Sequence, residues 1–204
     1  MRNLFTIAVV LMCANSAYAK EYLGFNLCGK MTQAQIESAA GNKAVSIRDF
    51  DVPLFEGQSK PPDVKVFEIS EYPVGKDFLD LEVKTFKDLV YEIEINVAKV
   101  VGFPHPSVII ENKYGKQFIA ERESAYYLQR VISNVYNTKA FDPNLELTWN
   151  QRFPLYLGDT VYHHKSYISY LCKTVSQNLK QTVNAAKNKE LNKSIKEAQG
   201  KSKF

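Results

Sequence analysis

LDLEVKTFKDLVYEIEINV, residues 79–97, is the stretch of sequence that decides the fold. Apolar and polar residues alternate on both sides of a central Lys87-Asp88 pair. The apolar positions are Leu79, Leu81 and Val83 before the pair and Tyr91, Ile93, Ile95 and Val97 after it. Alternation with a period of two is typical of strands that bury one face, so the stretch predicts an antiparallel β-hairpin. We expect its polar face to contact solvent.

The polar positions of this hairpin hold more acids than bases, since Asp80, Glu82, Glu92 and Glu94 stand against Lys84. Neighbouring carboxylates can act as an acid and a base where burial or nearby charge shifts their pKa values. On a solvated sheet face they are ordinary surface residues, which is the interpretation we favour. The alternative is a hydrolase that acts on cell-wall or secreted substrates through these four acids.

The first nineteen residues have the pattern of a secretory signal peptide. Arg2 precedes an apolar run from Leu4 to Ala14, and a small-x-small cleavage site follows at residues 17–19. The apolar run is too short to span a bilayer. We expect cleavage before residue 20 and export to the periplasm. A lipid anchor at Cys13 is the alternative, but Met12 is not the small residue that precedes a lipidated cysteine.

Removal of residues 1–19 leaves Cys28 and Cys172 as the two cysteines of the mature chain. Cysteine pairs in exported proteins commonly oxidise to disulfides. We therefore predict a Cys28–Cys172 disulfide that ties the beginning of the mature chain to its last strand. Two buried free thiols are the alternative.

Thr32 and Gln35 are spaced as in a capping box, in which each side chain accepts a hydrogen bond from the other residue's amide. This spacing predicts a helix over residues 32–40, which Gly41 ends. Residues 43–63 are expected to be connective, because Pro61 and Pro62 cannot continue a helix or a central strand.

Residues 101–172 repeat the order of elements expected for residues 20–100, a short helix followed by strands. Ser107 can cap the second helix, and strands are expected from Leu145 and from Ser166. Residues 116–144 suit either a helix or strands. Pro154 predicts that its strand lies at a sheet edge.

Residues 173–204 differ from the rest of the chain because they hold eight lysines and two acids, a local charge of +6. Their apolar residues, at Val175, Leu179, Val183, Ala186, Leu191, Ile195 and Ala198, predict a helical stripe whose first half docks on the sheet. The candidate interaction surface comprises Tyr156, Tyr162, Tyr167, Lys187, Lys189, Lys193 and Lys196. The tyrosines also suit strands, and packing in the core or the sheet is the role that we favour for them. Its expected partner is an unknown protein or, through the tail, an anionic membrane surface.

The residue types argue against several classes of function. The sequence lacks the GxSxG, HExxH and Gly-rich phosphate-loop motifs. His163 and His164 are adjacent and would point to opposite faces of a strand, so they cannot both bind one metal ion there. The net positive charge is confined to the tail, which argues against a function in binding nucleic acid. We expect no catalytic residues, metal, cofactor or transmembrane segment in the mature chain.

The stretch from Gly29 to Ile36, GKMTQAQI, resembles the G-M-T-x-x-Q-V box of small exported α+β domains. These include the outer-membrane assembly lipoproteins of the SmpA/OmlA type and the β-lactamase inhibitor proteins. Lys30 is an insertion relative to that box. In both families a short helical unit is followed by antiparallel strands, and the inhibitor proteins carry the unit twice. The resemblance implies such a fold and a function in binding another protein without catalysis.

Together these patterns predict an α+β protein with antiparallel sheet structure, short helices on one face and a C-terminal helix. The expected organisation is a signal peptide over residues 1–19, a domain over 20–172 with similar halves at 20–100 and 101–172, and a lysine-rich helical tail over 173–204. The expected function is periplasmic binding of an envelope protein or inhibition of an exported enzyme. A hydrolase and a protein that associates with a membrane surface through its basic tail are the alternatives.

Overall fold

A computed structural model describes residues 20–49, 63–97, 105–115, 118–126, 129–139, 142–154 and 165–201. The expected signal peptide with Cys13, the histidine pair, Tyr156 and Tyr162 lie outside the described residues.

Ten strands and three helices make up the described part of the chain. The strands are β1 (Lys20–Tyr22), β2 (Phe25–Leu27), β3 (Val45–Asp49), β4 (Val64–Val74), β5 (Asp77–Phe86), β6 (Leu89–Asn96), β7 (Phe118–Tyr126), β8 (Gln129–Tyr136), β9 (Leu145–Pro154) and β10 (Lys165–Cys172). The helices are α1 (Gln33–Ala40), α2 (Pro106–Tyr114) and α3 (Lys173–Lys201). The predicted α+β class with antiparallel strands and a C-terminal helix is confirmed.

Eight of the strands form one antiparallel sheet in the order β3-β4-β5-β6-β10-β9-β8-β7. A helix followed by four strands occurs twice along the chain, as α1 with β3–β6 and α2 with β7–β10. The two sets meet where β6 pairs with β10, so the last strand of each set is central. The 79–97 hairpin, β5–β6, therefore lies inside the sheet with neighbours on both sides.

The three helices share one hydrophobic core with one face of this sheet. Ile36 of α1, Ile110 of α2 and Val175 of α3 are buried in the same cluster as Val83 and Ile93 of the central hairpin. Burial of an aliphatic side chain of this size contributes about 1.5–3 kcal/mol. The apolar alternation of the sequence thus assigns the core face correctly, and the polar positions fall on the opposite face.

A short hairpin at the beginning of the described chain, β1–β2, was not predicted from the sequence. Leu23 and Gly24 form its turn with φ angles of +53° and +77°. The Tyr72 hydroxyl donates a hydrogen bond of 2.8 Å to the Leu23 carbonyl, which joins the turn to β4. The chain after β2 pairs with the beginning of β6, where the Cys28 amide donates to the Val90 carbonyl at 2.9 Å.

The capping box that the sequence predicts is present at the beginning of α1. The Thr32 amide donates to Gln35 Oε1 at 2.8 Å, and the Gln35 amide donates to Thr32 Oγ1 at 3.4 Å. Gly41 ends the helix with φ +68°, and its amide donates to the Ser38 carbonyl.

Several expectations about the strands were wrong or left open. Part of the region expected to be connective forms β3, which pairs with β4 at the sheet edge. Residues 118–126 and 129–136, from the region that suited a helix or strands, form the paired strands β7 and β8. Pro154 ends β9, which lies between β8 and β10 and is not an edge strand. The second helix begins at Pro106, with His105 and not Ser107 as its N-cap.

Cys28 and Cys172 lie together, as the predicted disulfide requires. Their sulfur atoms are at bonding distance and their Cα atoms are 5.4 Å apart, across 144 residues of sequence. Asn144 joins this pair to α3, since its side-chain amide donates to Cys28 Sγ at 3.2 Å and to Thr174 Oγ1 at 3.1 Å. The Asn144 carbonyl also accepts from the Lys173 amide at 2.9 Å. The first turn of α3 is therefore held at the disulfide.

Candidate functional site

The polar face of the sheet carries a continuous cross-strand row. Cα pairing aligns one residue from each strand: Ser46, Glu68, Glu82, Glu94, Ser169, Thr148, Val135 and Ala120. The acids of the row occupy three adjacent strands, β4, β5 and β6. This arrangement concentrates negative charge on one half of the face.

Lys84 lies at the centre of that negative half. Its ammonium donates to Glu94 Oε2 at 2.5 Å and to Glu92 Oε2 at 2.9 Å, and it lies 3.8 Å from Glu82 Oε2. The Lys84 residue is 6% exposed. One buried cation therefore holds three carboxylates from the two strands of the central hairpin.

A second cation, Arg48 on the edge strand β3, extends this network. It forms an ion pair with Glu68 and another with Glu82, the latter at 3.2 Å. Ser169 of β10 donates to Glu92 Oε1 at 2.8 Å. We call the group Lys84, Glu82, Glu92, Glu94, Arg48 and Glu68 the Lys84 cluster. Its four acids and two bases give a formal charge of −2.

The expectation that the polar face is solvated was wrong at its centre. Glu94 is 1% exposed and Ser169 is 1% exposed. The hairpin is flanked by β4 and β10, so side chains from both neighbours stand beside its polar positions. Arg48, Glu68 and Ser169 were missed because strand pairing between distant segments cannot be read from a single strand's alternation.

Burial and charge oppose each other within the cluster. Burial alone would lower the pKa of Lys84, but the carboxylates of Glu92 and Glu94 outweigh it and raise that pKa above its ordinary value. Burial raises the pKa of Glu92, and Lys84 offsets only part of that rise. Lys84 is therefore held as a cation, while Glu92 binds a proton more readily than an exposed glutamate does.

A cavity of about 190 Å³ lies beside the Lys84 cluster. The polar residues that line it are Glu68, Ser70, Asp80, Glu82, Glu94, Asn96 and Tyr167. Typical small-molecule sites have volumes of about 300–1,000 Å³. The cavity therefore suits one side chain or one small cationic group better than a larger ligand.

The structure separates the residues of the interaction surface predicted from the sequence. Tyr167 lies in β10, is 5% exposed and lines the cavity, so it packs within the sheet, the interpretation favoured for the tyrosines from the sequence. Lys189, Lys193 and Lys196 lie exposed on α3, and Lys187 belongs to the same helix. The tyrosine and the lysines thus occupy different elements of the fold.

The apolar residues of the tail do not form the single stripe that was expected. Val175 is buried, and Leu179 packs against the core. Leu191 and Ile195 are 59% and 44% exposed. With a rotation of about 100° per residue, Leu191 and Ile195 lie on the opposite side of α3 from the docked residues.

Metal ligation and a membrane-spanning helix find no support among the described residues. They contain no group of three His, Cys, Asp or Glu side chains placed to hold a metal ion. Among the described helices, none is both long and apolar enough to cross a membrane.

Comparison with known proteins finds no matching protein-family model, curated protein or solved structure.

Proposed function

We propose that this protein is exported to the periplasm and acts by binding another protein, through the polar face of its eight-stranded sheet. The partner is an envelope protein or an exported enzyme that it inhibits, and it presents lysine or arginine side chains to the Lys84 cluster. The observation that carries this proposal is the pre-organised negative half of the face, beside a cavity of about 190 Å³.

The paired state of the acids supports binding over catalysis. Glu68, Glu82 and Glu92 are held in ion pairs with Arg48 or Lys84. Fixed ion pairs orient charge without a large loss of side-chain entropy when a partner arrives, and complementary charge accelerates encounter and excludes wrong partners. The helices and the β1–β2 hairpin contribute to the core on the other face. Among the described residues, the polar face offers accessible positions around its buried centre, such as Glu68, Asn150 and Ser133.

Photocrosslinking in cells tests this proposal. A photoreactive residue placed at Asn150 or at Ser133, both partly exposed on the polar face, should form an adduct with one envelope or exported protein. The same residue placed at Glu37, exposed on α1, is the matched control and should give no such adduct.

The identified partner should then bind the purified protein, and binding should weaken at high salt and with the Glu68→Gln variant. Adducts of equal yield from Glu37, or no adduct from either polar-face position, would contradict the proposal. Recovery of the protein from the periplasmic fraction with an N-terminus at Lys20 tests the export step.

A hydrolase remains the second candidate because burial raises the pKa of Glu92, as occurs for many catalytic acids. In that case Glu92→Gln should abolish release of fragments from purified cell wall, while Glu121→Gln, an exposed acid on β7, should not. Equal activity of the two variants, or no activity of the wild type, would reject this candidate.

A further inference from the structure

Two surfaces of this chain carry opposite charge and have matching dimensions. We call Lys189, Lys193 and Lys196 on α3 the lysine ridge, and Glu68, Glu82 and Glu94 on the sheet the acidic row. The ridge residues fall within an arc of about 60° on one side of the helix and span about 10.5 Å along its axis. The acidic row crosses three adjacent strands, which span about 9.6 Å.

The two surfaces have complementary charge, and two of the three acids in the row are accessible. All three ridge lysines are exposed. The Glu68 and Glu82 side chains of the row are 43% and 23% exposed, and Glu94 adds its charge from below the surface. The ridge carries a formal charge of +3 and the Lys84 cluster one of −2, so their contact is attractive at neutral pH.

The ridge does not meet the row of its own chain in the described part of the structure. There the ion pair recorded for the ridge joins Lys193 to Glu197 on the same helix, at 3.9 Å. Exposed pairs of this kind contribute about 0.3–0.5 kcal/mol and do not prevent another partner from binding.

We propose that the lysine ridge of one copy docks across the acidic row of a second copy. This inference rests on the proposed binding face, because it assigns an occupant to that face when the partner is absent. A helix that crosses the strands near a right angle places about one lysine over each strand. The partner protein must then displace the tail helix of the second copy.

The structure favours a second copy over an anionic membrane as the partner of the lysine ridge. Leu191 and Ile195 lie on the side of α3 opposite the ridge. A helix that rests on lipid inserts its apolar side and keeps its lysines at the flanks. With the ridge against lipid, these two apolar residues would face away from the membrane.

Sedimentation velocity of the purified protein at about 0.05 M and about 0.5 M salt tests the inference. The Debye length differs several-fold between these two salt concentrations. We expect self-association at low salt that is lost at high salt. The Lys189→Glu/Lys193→Glu/Lys196→Glu variant should associate at least about tenfold more weakly, which is about 1.4 kcal/mol. Lys30→Glu/Lys139→Glu/Lys180→Glu, which alters exposed lysines outside the ridge, is the control with equal change in charge and should associate more strongly than the ridge variant.

A charge exchange identifies the two surfaces. Glu68→Lys/Glu82→Lys should also lose self-association, and an equal mixture of this variant with the ridge variant should regain it. Circular dichroism checks that each variant is folded, and Glu68→Gln is a milder variant that should weaken association several-fold. A wild type that is monomeric at low salt, a ridge variant that associates normally, or a folded mixture that stays monomeric would overturn the inference.

Vesicles of phosphatidylglycerol and phosphatidylethanolamine test whether the lysine ridge binds a membrane. Ridge-dependent vesicle binding without self-association would overturn the inference in favour of lipid. The outcome is separable from that of the proposed function, because a partner adduct at Asn150 with a monomeric pure protein rejects only the second copy. Self-association without any other partner at Asn150 rejects only the proposed function.

Discussion

Lys84 is the residue on which the polar face depends. Its ammonium is buried and contacts the carboxylates of Glu92 and Glu94. Removal of one partner from a buried ion pair leaves the other charge without compensation, which costs more than the pair itself contributes. The stability of this face is therefore concentrated in a single cation.

Lys84→Met should lower the free energy of unfolding by about 3–5 kcal/mol at neutral pH, because it leaves Glu94 as an uncompensated buried acid. The pKa of Lys84 is raised, so its contribution is complete below about pH 10.4 and is lost only as the pH rises above that. The loss in the variant should shrink toward pH 4, where the carboxylates take up protons. Urea unfolding at both pH values measures the effect.

Lys65→Met is the matched control, since Lys65 is exposed on the neighbouring strand β4. We expect its free energy of unfolding to change by no more than about 0.5 kcal/mol. Equal losses in the two variants would show that the Lys84 contacts do not carry the stability assigned to them.

Glu92 should make the free energy of unfolding fall as the pH rises, the opposite of a glutamate whose pKa is lowered in the folded state. Its pKa is raised in the folded protein, so the folded state binds its proton more tightly than the unfolded state does. That contribution is present below about pH 4.3 and is lost as the pH rises through the folded value. Glu92→Gln should therefore gain stability relative to the wild type between acid and neutral pH. Urea unfolding at several pH values measures this difference, and parallel curves of stability against pH for the variant and the wild type would contradict it.

At the scale of elements, the β1–β2 hairpin shows how a short segment is fixed by its neighbours. Two-residue turns with positive φ at both positions match the twist of antiparallel strands. Leu23 and Gly24 adopt such a turn, and the Tyr72 hydroxyl holds it from β4. The hairpin is thus stabilised by a tertiary contact as well as by its own pairing.

Gly24→Ala should destabilise the protein by about 1–2 kcal/mol, the cost of a left-handed conformation for a residue with a Cβ atom. The new Cβ would also lie 3.0 Å from the Tyr72 hydroxyl, which adds to the loss. Gly75→Ala is the control, since Gly75 has φ +66° but no atom within 4 Å of a new Cβ. Thermal unfolding should show a smaller loss for Gly75→Ala, and equal losses would remove the role of the Tyr72 contact.

At the scale of the whole molecule, the sheet and the Cys28–Cys172 pair join the beginning of the described chain to the end of its last strand. The pair connects the loop after β2 to the junction of β10 and α3, across 144 residues. A cross-link over a loop of this length reduces the entropy of the unfolded chain, by up to about 4–5 kcal/mol in the chain-entropy model.

Cys28→Ala/Cys172→Ala should therefore lower the free energy of unfolding by several kcal/mol, up to about 5 kcal/mol. The wild type treated with a reductant should approach the stability of the variant. The intact mass of the unreduced mature protein should be lower than that of the reduced protein by two hydrogen atoms. The unreduced mature protein should have no thiol that reacts with an alkylating reagent. Two reactive thiols in the purified protein would contradict the disulfide.

The sequence by itself determined the elements whose signals are local. The alternation around Lys87 and Asp88 defined the central hairpin and its buried face. The spacing of Thr32 and Gln35 fixed the beginning of α1, because capping bonds form between residues three positions apart. The pairing of the two cysteines was predicted from their number and from the expected compartment.

Tertiary structure decided which segments become neighbours. Residues 45–49, 118–126 and 129–136 form strands because the sheet offers them partners, although their own patterns did not indicate strands unambiguously. The meeting of β6 with β10 placed Ser169 beside Glu92, and the β3–β4–β5 pairing placed Arg48 beside Glu82. Alternation tells which residues share a face, but the burial and pairing of charge on that face depend on strands distant in sequence. The Lys84 cluster is therefore a property of the assembled sheet, since desolvation and ion pairing arise only when those strands pack side by side.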